Sequence, residues 1–540
     1  MGRIKLLDCT LRDGGYINDW KFGHDNIVSI FERIVDSGVE IIEIGFLDDR
    51  RPFDYERSIM PDTASANKIY GKLDSKNTMV VGMIDYGTCD ISNLQPCEET
   101  CIDGIRVIFK KHLMHEAMDF CAQVKKLGYK VFSQLVSIGA YTDDDLMELI
   151  GLVNEVEPYA VSMVDTYGIL KPKTLLHYYD ILDKNVKPGI QIGFHSHNNF
   201  QLAYANDLAF MAKETNRDIV VDGTLFGMGK SAGNAPLELL AMTMNEEYGG
   251  AYKINSLLES IDESIMNFRA NAIWGYQQFF YMCAINNAHP SYATQFIDKG
   301  NLSVSKTNDL LGSIEPADKQ LLYDKNIGEE TYEKFVKEHC NDAKVKEELK
   351  KEFGDKKLLL VGPGKNILLQ QDKVEKTIEE IKPYIIAVNY IPKNINPDCV
   401  FVTNSKRYLE MATDLLEERN KHIKLLATSN IECRNGEFDY QIERINLIEG
   451  NEQIKDNSFL MLLKLLKELG YTKLYCAGFD GFSENENTYY SPEKEYGIVR
   501  SIARQLNKHV REVIEENNID ISYVTYSLYE DKDEEHIWGH

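Results

Sequence analysis

Basic residues are in deficit: 60 Lys and Arg stand against 85 Asp and Glu, a formal charge of −25 at pH 7, with the acidic residues spread along the chain rather than gathered in a tail. That balance excludes a nucleic-acid binder, whose affinity is built from clustered Lys and Arg. Small anionic substrates stay open, because a local Arg or a bound metal outweighs a distant net charge. Paired cysteines are also missing. The ten cysteines are scattered, and neither Cys97 and Cys101 nor any other pair has zinc-knuckle or redox spacing, so reduced, mostly buried thiols are expected. No stretch is long and apolar enough to span a bilayer, and Met1–Leu7 runs straight into a strand-like pattern without a signal-peptide core. A cytoplasmic location with no membrane partner is the expectation.

At 540 residues the chain calls for several compact units. In residues 1–250 a short β-rich apolar run, a polar loop and an amphipathic stretch recur in that order. The strand candidates are Ile4–Asp8, Ile41–Gly45, Met79–Ile84, Gly104–Phe109, Lys130–Val136, Ala160–Val164, Gln191–Phe194 and Ile219–Gly223, with helix-period segments such as Ile27–Ser37 and His115–Lys126 between them. Eight βα units predict an α/β fold of the (β/α)8 TIM-barrel type. The unusual polar residues (Asp8 to Asp13, Glu43, Asp85, Arg106, Gln134, Asp165, His195 to His197 and Asp222) fall at or near strand ends, where barrel enzymes place their active sites. Residues 251–355 read as a helical extension and connector, with helices over Ile254–Asn287 and Lys319–Phe353 and a polar stretch, Asp298–Asn308, between them. Its mixed-charge end, Glu347–Lys357, reads as a solvated helix. In residues 356–540 a second βα series predicts a smaller Rossmann-like α/β domain. Its strands are Leu358–Val361, Tyr384–Val388, Cys399–Thr403, Lys424–Ala427, Lys473–Cys476 and Ile521–Val524, and its helices include Ser458–Leu469 and Tyr496–Asn517.

Asp8-Cys9-Thr10-Leu11-Arg12-Asp13-Gly14-Gly15 sets an adjacent Arg–Asp pair after the first strand, beside glycines that let the chain turn and a ligand approach. Far downstream, His195-Ser196-His197-Asn198 places two imidazoles at i and i+2, on one side of an extended chain. If the seventh strand closes beside the first, Asp13, His195 and His197 form one face of a metal site. That ligand set suits Mn²⁺, Mg²⁺, Co²⁺, Zn²⁺ or Fe²⁺, with Mn²⁺ taken first. The bland alternative, two satisfied rim histidines, fits an isolated His-x-His equally well but fits poorly beside Arg12-Asp13.

Five motifs in order carry a resemblance: Thr10-Leu11-Arg12-Asp13-Gly14, Ile42-Glu43-Ile44-Gly45, Asp165-Thr166-Tyr167-Gly168 with Pro172, His195-Ser196-His197-Asn198, and Gly227-Met228-Gly229 through Gly233-Asn234 with Glu238. Over residues 1–290 the chain resembles the HMG-CoA lyase-like superfamily, the DRE-TIM metallolyases, and within it the 4-hydroxy-2-oxovalerate aldolases. The condensing 2-isopropylmalate, citramalate and homocitrate synthases share the motifs. The resemblance implies a cation on Asp13, His195 and His197 with Asn234 as an additional ligand, and Arg12 meeting an enolate oxygen. It also implies a 2-oxo acid and an aldehyde as partners, and a homodimer. Glu43 orients Arg12 or a metal-bound water, or is a plain structural ion pair. One departure stands out. The aldolases carry a catalytic histidine two residues after the glycine of Arg-Asp-Gly, where this chain has Tyr16, and an unperturbed tyrosine with a pKa of about 10 is a poor base. Tyr16 is then a hydrogen-bond donor or a gate, with His24, Lys111, Gln134 and Tyr141 as weaker candidates for proton transfer. An acyl-CoA-dependent condensing enzyme and an inactive barrel serving as a binding protein are the alternatives.

In the second half Gly362-Pro363-Gly364-Lys365-Asn366 follows a buried-looking strand, but Ile367 stands where a dinucleotide fingerprint needs its third glycine, and the segment is no Walker A loop. With Ala387-Val388-Asn389 and Gly478-Phe479-Asp480-Gly481, this order is similar to bacterial sialyltransferase-like domains from glycan gene clusters. That similarity implies a nucleotide or nucleotide-sugar site at Gly362, Gly364, Asn366, Asn389 and Asp480, and a setting in surface-glycan precursor metabolism. The glycines have an equally good structural use in a strand-to-helix turn.

Overall fold

The computed structural model describes residues 2–300, 302–315, 323–431, 438–491 and 497–530. The chain forms two compact units, Met1–Thr294 with Ile314–Asp324, and Gln295–Ser313 with Lys325–His540.

In the first unit nine parallel strands follow in chain order: β1 (Ile4–Asp8), β2 (Ile41–Leu47), β3 (Ile59–Met60), β4 (Met79–Asp85), β5 (Gly104–Phe109), β6 (Lys130–Leu135), β7 (Ala160–Asp165), β8 (Gln191–Ser196) and β9 (Ile219–Gly223). Eight of them close on themselves, since β1 pairs with β9 (Leu6 opposite Val221) and also with β2 (Leu7 opposite Ile41). The result is a (β/α)8 barrel. The two-residue β3 is added beside β2 and was not anticipated; it is too short to show a period. Gly45 makes room for it. A Cβ there would lie 1.7 Å from the Ser58 carbonyl oxygen, and its φ is +136°.

The intervening helices follow from local chemistry. His24–Ser37 buries Ile27, Ile30, Phe31, Ile34 and Val35 along one face and stops at Gly38 in the left-handed region. Asp143–Val156 starts on a reciprocal capping box between Thr142 and Asp145, and Pro172–Asn185 carries its proline in the first turn.

Side-chain alternation along the strands stacks the barrel interior in layers. Leu7, Ile41, Val81, Phe132, Ala160 and Val220 pack into one apolar plug. Two residues further along the same strands come Glu43, Gln134, Ser162 and Asp222, so a polar layer sits directly above the plug, toward the strand C-termini.

The expected helix over Ile254–Asn287 is broken into Ile254–Ser260, a π-helical turn at Ile261–Ile265, Met266–Asn271 and Gln278–Ile285. The stretch read as polar, Asp298–Asn308, contains most of a further helix, Val304–Gly312. Its start is capped by Ser303, and it buries Thr307, Leu310 and Leu311. Lys319 to Leu322, read as helical, lie outside the described residues, as does Tyr496.

The second unit holds seven parallel strands: β10 (Leu358–Val361), β11 (Tyr384–Val388), β12 (Cys399–Val402), β13 (Lys424–Thr428), β14 (Tyr440–Ile442), β15 (Lys473–Ala477) and β16 (Asp520–Tyr523), in the order β14-β13-β12-β11-β10-β15-β16. The three-residue β14 was not anticipated. Both faces are covered. Leu358, Leu360, Ile386 and Phe401 belong to one apolar cluster, and Leu359, Val361, Ala387, Val400 and Val402 to another, which is why these strands read as unbroken apolar runs. Among the described residues every cysteine is unpaired, and no helix is long and apolar enough to cross a membrane.

Candidate active site

The polar layer of the barrel is a lattice of buried charges. Arg106, with no exposed surface, is paired with Asp222, lies 3.2 Å from Glu43 Oε2, and donates to Gln134 Oε1 at 3.1 Å. Gln134 in turn donates to Ser162. Such a lattice is tolerable only because each charge faces an opposite one. Arg106 and Asp222 were visible in the sequence as strand-end residues, but their role beneath the site was not.

Above it, a four-residue helix, Thr10–Asp13, turns the chain back over the strand ends. Trp20 Nε1 donates to the Arg12 carbonyl at 2.8 Å, and Ser58 Oγ to that of Leu11 at 2.6 Å, pinning the turn. Arg12 Nε donates to Glu43 Oε2 at 2.7 Å, and the guanidinium also pairs with Asp13. Burial works against the Arg12 charge, but Glu43 and Asp13 overturn it and hold the group firmly protonated.

Asp13, His195 and His197 come together from opposite ends of the barrel sequence, their ligand atoms within 4.8 Å of one another. Asp13 Oδ2 lies 3.6 Å from His195 Nε2 and 3.9 Å from His197 Nε2. These gaps are too long for hydrogen bonds. The far nitrogens are occupied: His195 Nδ1 lies 3.0 Å from Asp222 Oδ2, and His197 Nδ1 lies 3.3 Å from the Gly233 carbonyl. Proton donation from each Nδ1 leaves both Nε2 lone pairs facing Asp13, the tautomer that metal-binding histidines need. An antiparallel bridge between His197 and Asn234 brings the loop after β9 to the same place. Asn234 Nδ2 donates to Asp13 Oδ1 at 3.0 Å, whereas Asn234 Oδ1 and His195 Nε2 are buried without partners. Buried acceptors left empty are costly unless something positive fills them. Gly229 keeps the space open, since a Cβ there would sit 2.2 Å from Asn234 Nδ2 and 2.5 Å from Asp13 Oδ1. The residues present therefore fit a divalent cation.

The charge states of Asp13 and His197 agree. Burial opposes the Asp13 carboxylate, but Arg12 and the two histidines hold it well below the usual range. Burial pushes His197 down to about 3, leaving it neutral; for His195 burial is outweighed by its carboxylate partners and the pKa rises. Asp165, a motif residue, accepts from the backbone N–H groups of Ile169 and Leu170 at 3.0 Å and serves to hold its own turn.

Tyr16 is no base near neutrality. Although 44% of the residue is exposed, desolvation pushes its hydroxyl up to about 12. Its ring packs edge-on against Trp20, with Lys230 Nζ 5.5 Å from its centroid. Of the weaker candidates, His24 starts a helix and packs on Tyr55, Lys111 pairs with Asp145, Gln134 belongs to the lattice, and Tyr141 is buried. Sequence reasoning missed Lys230 and His289. Lys230 Nζ lies 3.5 Å from His289 Nε2, and burial lowers the pKa of both, that of His289 to about 3. Ser291 N donates to His289 Nδ1 at 3.1 Å, so the neutral ring carries its proton on Nε2, facing the amine. The position of Lys230 inside the Gly227–Asn234 motif was the available signal; His289 had none.

In the second unit the glycine turn after β10 meets the turn after β15. Gly362 N donates to Ala477 O, Gly364 N to Gly478 O and Lys365 N to Thr488 O, each at 2.8 Å. Asn366 N donates to Asp480 Oδ2 at 2.9 Å. A Cβ at Gly362 would lie 2.6 Å from Gly478 O, and one at Gly364 2.3 Å from Asp480 Oδ1. The glycines thus allow the two turns to pack, and the N–H groups that would cradle a phosphate are engaged within the protein. Asn389 is engaged too, donating to Thr403 Oγ1 and Ser458 Oγ and accepting from Thr403 N.

A closed eight-stranded βα barrel with two histidines and a carboxylate at its C-terminal mouth, above a buried Arg–Glu–Asp lattice, is the architecture of a metal-dependent barrel enzyme. Residues 3–262 match the family model described as HMGL-like. This half of the chain is an HMGL-like domain of the DRE-TIM metallolyase superfamily. Its relatives include 4-hydroxy-2-oxovalerate aldolase 2 of Salinispora arenicola, 24% identical over 268 residues that cover 49% of this chain and 76% of the relative. The homocitrate synthase of Sulfurisphaera tokodaii is 26% identical over 271 residues, covering 47% of this chain and 56% of the relative. The crystal structure of Bacillus subtilis HMG-CoA lyase covers 49% of this chain and 93% of its own, at 17% identity and a TM-score of 0.40.

Proposed function

We propose that the barrel is a divalent-metal-dependent aldolase that breaks or forms the carbon–carbon bond next to the carbonyl of a 2-oxo acid, of the type that converts a 4-hydroxy-2-oxo acid into pyruvate and an aldehyde. The observation that carries this reading is the convergence of Asp13, His195 and His197, with the His195 Nε2 lone pair unpartnered, beside the Arg12 guanidinium. Asp13, His195 and His197 would hold the cation, Mn²⁺ in our reading, with Asn234 adding its amide oxygen. When bound, such an ion supplies Lewis-acid polarisation of the carbonyl.

Arg12 directs its guanidinium to the carbonyl oxygen on which negative charge develops as the bond cleaves. Glu43 fixes Arg12 in place through Nε, so the donor is oriented before substrate arrives. Asp222 holds His195 in its tautomer, and Arg106 holds Asp222. Tyr16, protonated across the physiological range, donates to a substrate hydroxyl. A homodimer in the cytoplasm and a setting in surface-glycan precursor metabolism belong to the same proposal, the last carried by the C-terminal resemblance alone. The homocitrate synthase relative favours a second reading, condensation of a 2-oxo acid with an acyl-CoA.

The deciding experiment measures pyruvate release, coupled to lactate dehydrogenase, from 4-hydroxy-2-oxo acids of increasing chain length. Release that needs Mn²⁺ and disappears in Asp13→Asn is expected. No release from any of them, with thiol liberated from acetyl-CoA instead, would transfer the assignment to condensation.

A further inference from the structure

The sheet of the second unit reverses its winding between β10 and β15: the chain builds outward from β10 through β14 on one side, then returns to place β15 and β16 on the other. Loops leaving adjacent strands diverge at such a point and open a crevice beyond the strand C-termini. A cavity of about 420 Å³ lies there, within the size range of small-molecule sites. Its electrostatics are unusual. Of its lining carboxylates, Glu452 pairs with Lys455 and Asp456 with Arg444, and the lining cation, Arg407, is bound by Glu410, which leaves Asp480 as the carboxylate without a cation partner. With the turn N–H groups already engaged, nothing on this wall offers a phosphate a place.

What the cavity does offer is acceptors, neutral donors and flat apolar surface. Asp480 is 3% exposed; one carboxylate oxygen accepts from Asn366 N and the other is buried without a partner. Thr488 Oγ1 and Asn404 Nδ2, also in the lining, make no hydrogen bond among the described residues. Phe459 and Phe479 stack with centroids 4.1 Å apart along the same wall. A carboxylate oxygen without a donor, a hydroxyl and an amide beside it, and an apolar wall match the hydroxyls and the C–H surface of an uncharged sugar ring.

We propose that this crevice binds a neutral vicinal diol, the sugar ring of a nucleoside or a free pentose or hexose, with Asp480 accepting from its hydroxyls. The site is separate from the barrel chemistry and does not depend on it. It differs from the nucleotide site implied by the sequence in that phosphate contributes no affinity.

Isothermal titration of the full-length chain with the four ribonucleosides, free pentoses and hexoses, the corresponding deoxy sugars, and nucleoside diphosphates tests this. Saturable binding of a nucleoside or a free sugar is expected, the responding arm identifying the source. Affinity should fall at least tenfold in Asp480→Asn and for the deoxy analogue, as for a lost hydrogen bond to a charged group. Because Asp480 also holds Asn366 N, Thr488→Val and Asn404→Asp, which leave that contact intact and, in the second, keep the cap on Arg407 N while removing the amide donor, should each weaken binding severalfold. Absence of binding by every neutral diol, equal binding of the deoxy analogue, or a nucleoside diphosphate that binds more tightly than its nucleoside would overturn the proposal.

Discussion

The barrel mouth and the crevice of the C-terminal sheet both lie beyond the C-termini of parallel strands, and both hold buried carboxylates, yet they treat those carboxylates differently. In the barrel, Asp13 has its negative charge maintained by Arg12 and two histidines, and His195 Nε2 faces it without a hydrogen-bond partner. In the crevice, Asp480 turns one oxygen onto the backbone of the facing loop, and burial pushes its pKa up to about 7. The first arrangement stores negative charge and lone pairs for a cation; the second leaves one carboxylate oxygen open to a donor, a proton below its raised pKa and a ligand hydroxyl above it. A glycine-rich turn and an aspartate are therefore insufficient to define an anion site, whereas unpartnered acceptors around one point define a cation site well.

The comparison is sharpest at His197. His197→Ala should abolish pyruvate release while leaving circular dichroism and the C-terminal unfolding transition unchanged; full retained turnover would remove the cation reading of the barrel. The proton reading of the crevice has its own signature. Asp480 has a folded pKa of about 7 against an ordinary 3.8, so between those values the folded state binds more protons than the unfolded state, and stability falls as pH rises through that window. The loss is on the order of 4 kcal/mol at most. Asp480→Asn should flatten this slope in urea titrations of the C-terminal transition at pH 4 to 8, and an unchanged slope would place the proton elsewhere. Arg12→Lys retains the charge but loses the fork that spans Glu43 and Asp13, and should lower kcat by ~10²–10³-fold with little change in cation affinity. Asp222→Asn, acting through His195, should weaken Mn²⁺ binding by ~10–100-fold while Arg12-dependent steps persist at saturating metal.

Much of this was legible in the sequence, for identifiable reasons. The barrel strands alternate so regularly that Ile41 to Glu43, Phe132 to Gln134 and Val220 to Asp222 each step from apolar plug to polar layer in two residues, marking both the strand and its active end. Parallel strands buried on both faces, such as Leu358–Val361, announce themselves as apolar runs. Elements of two or three residues, Ile59–Met60 and Tyr440–Ile442, are set by their partners rather than by their own pattern. The helix Val304–Gly312 was read as polar because its apolar contacts, Leu310 and Leu311, sit at its end. The Lys230–His289 pair joins two segments 59 positions apart, a juxtaposition that no local spacing reveals. The turn around Gly362 and Gly364 was read in both available senses, and only hydrogen-bond bookkeeping in three dimensions shows its N–H groups engaged.

The most direct test of the central claim is the number of Mn²⁺ equivalents bound per chain, measured by titration calorimetry with elemental analysis on wild-type protein, Asp13→Asn and His195→Ala. One equivalent in the wild type, lost in both variants while their far-ultraviolet circular dichroism is unchanged, is the result this account expects. Undiminished binding in both variants, or no binding in the wild type, would contradict it.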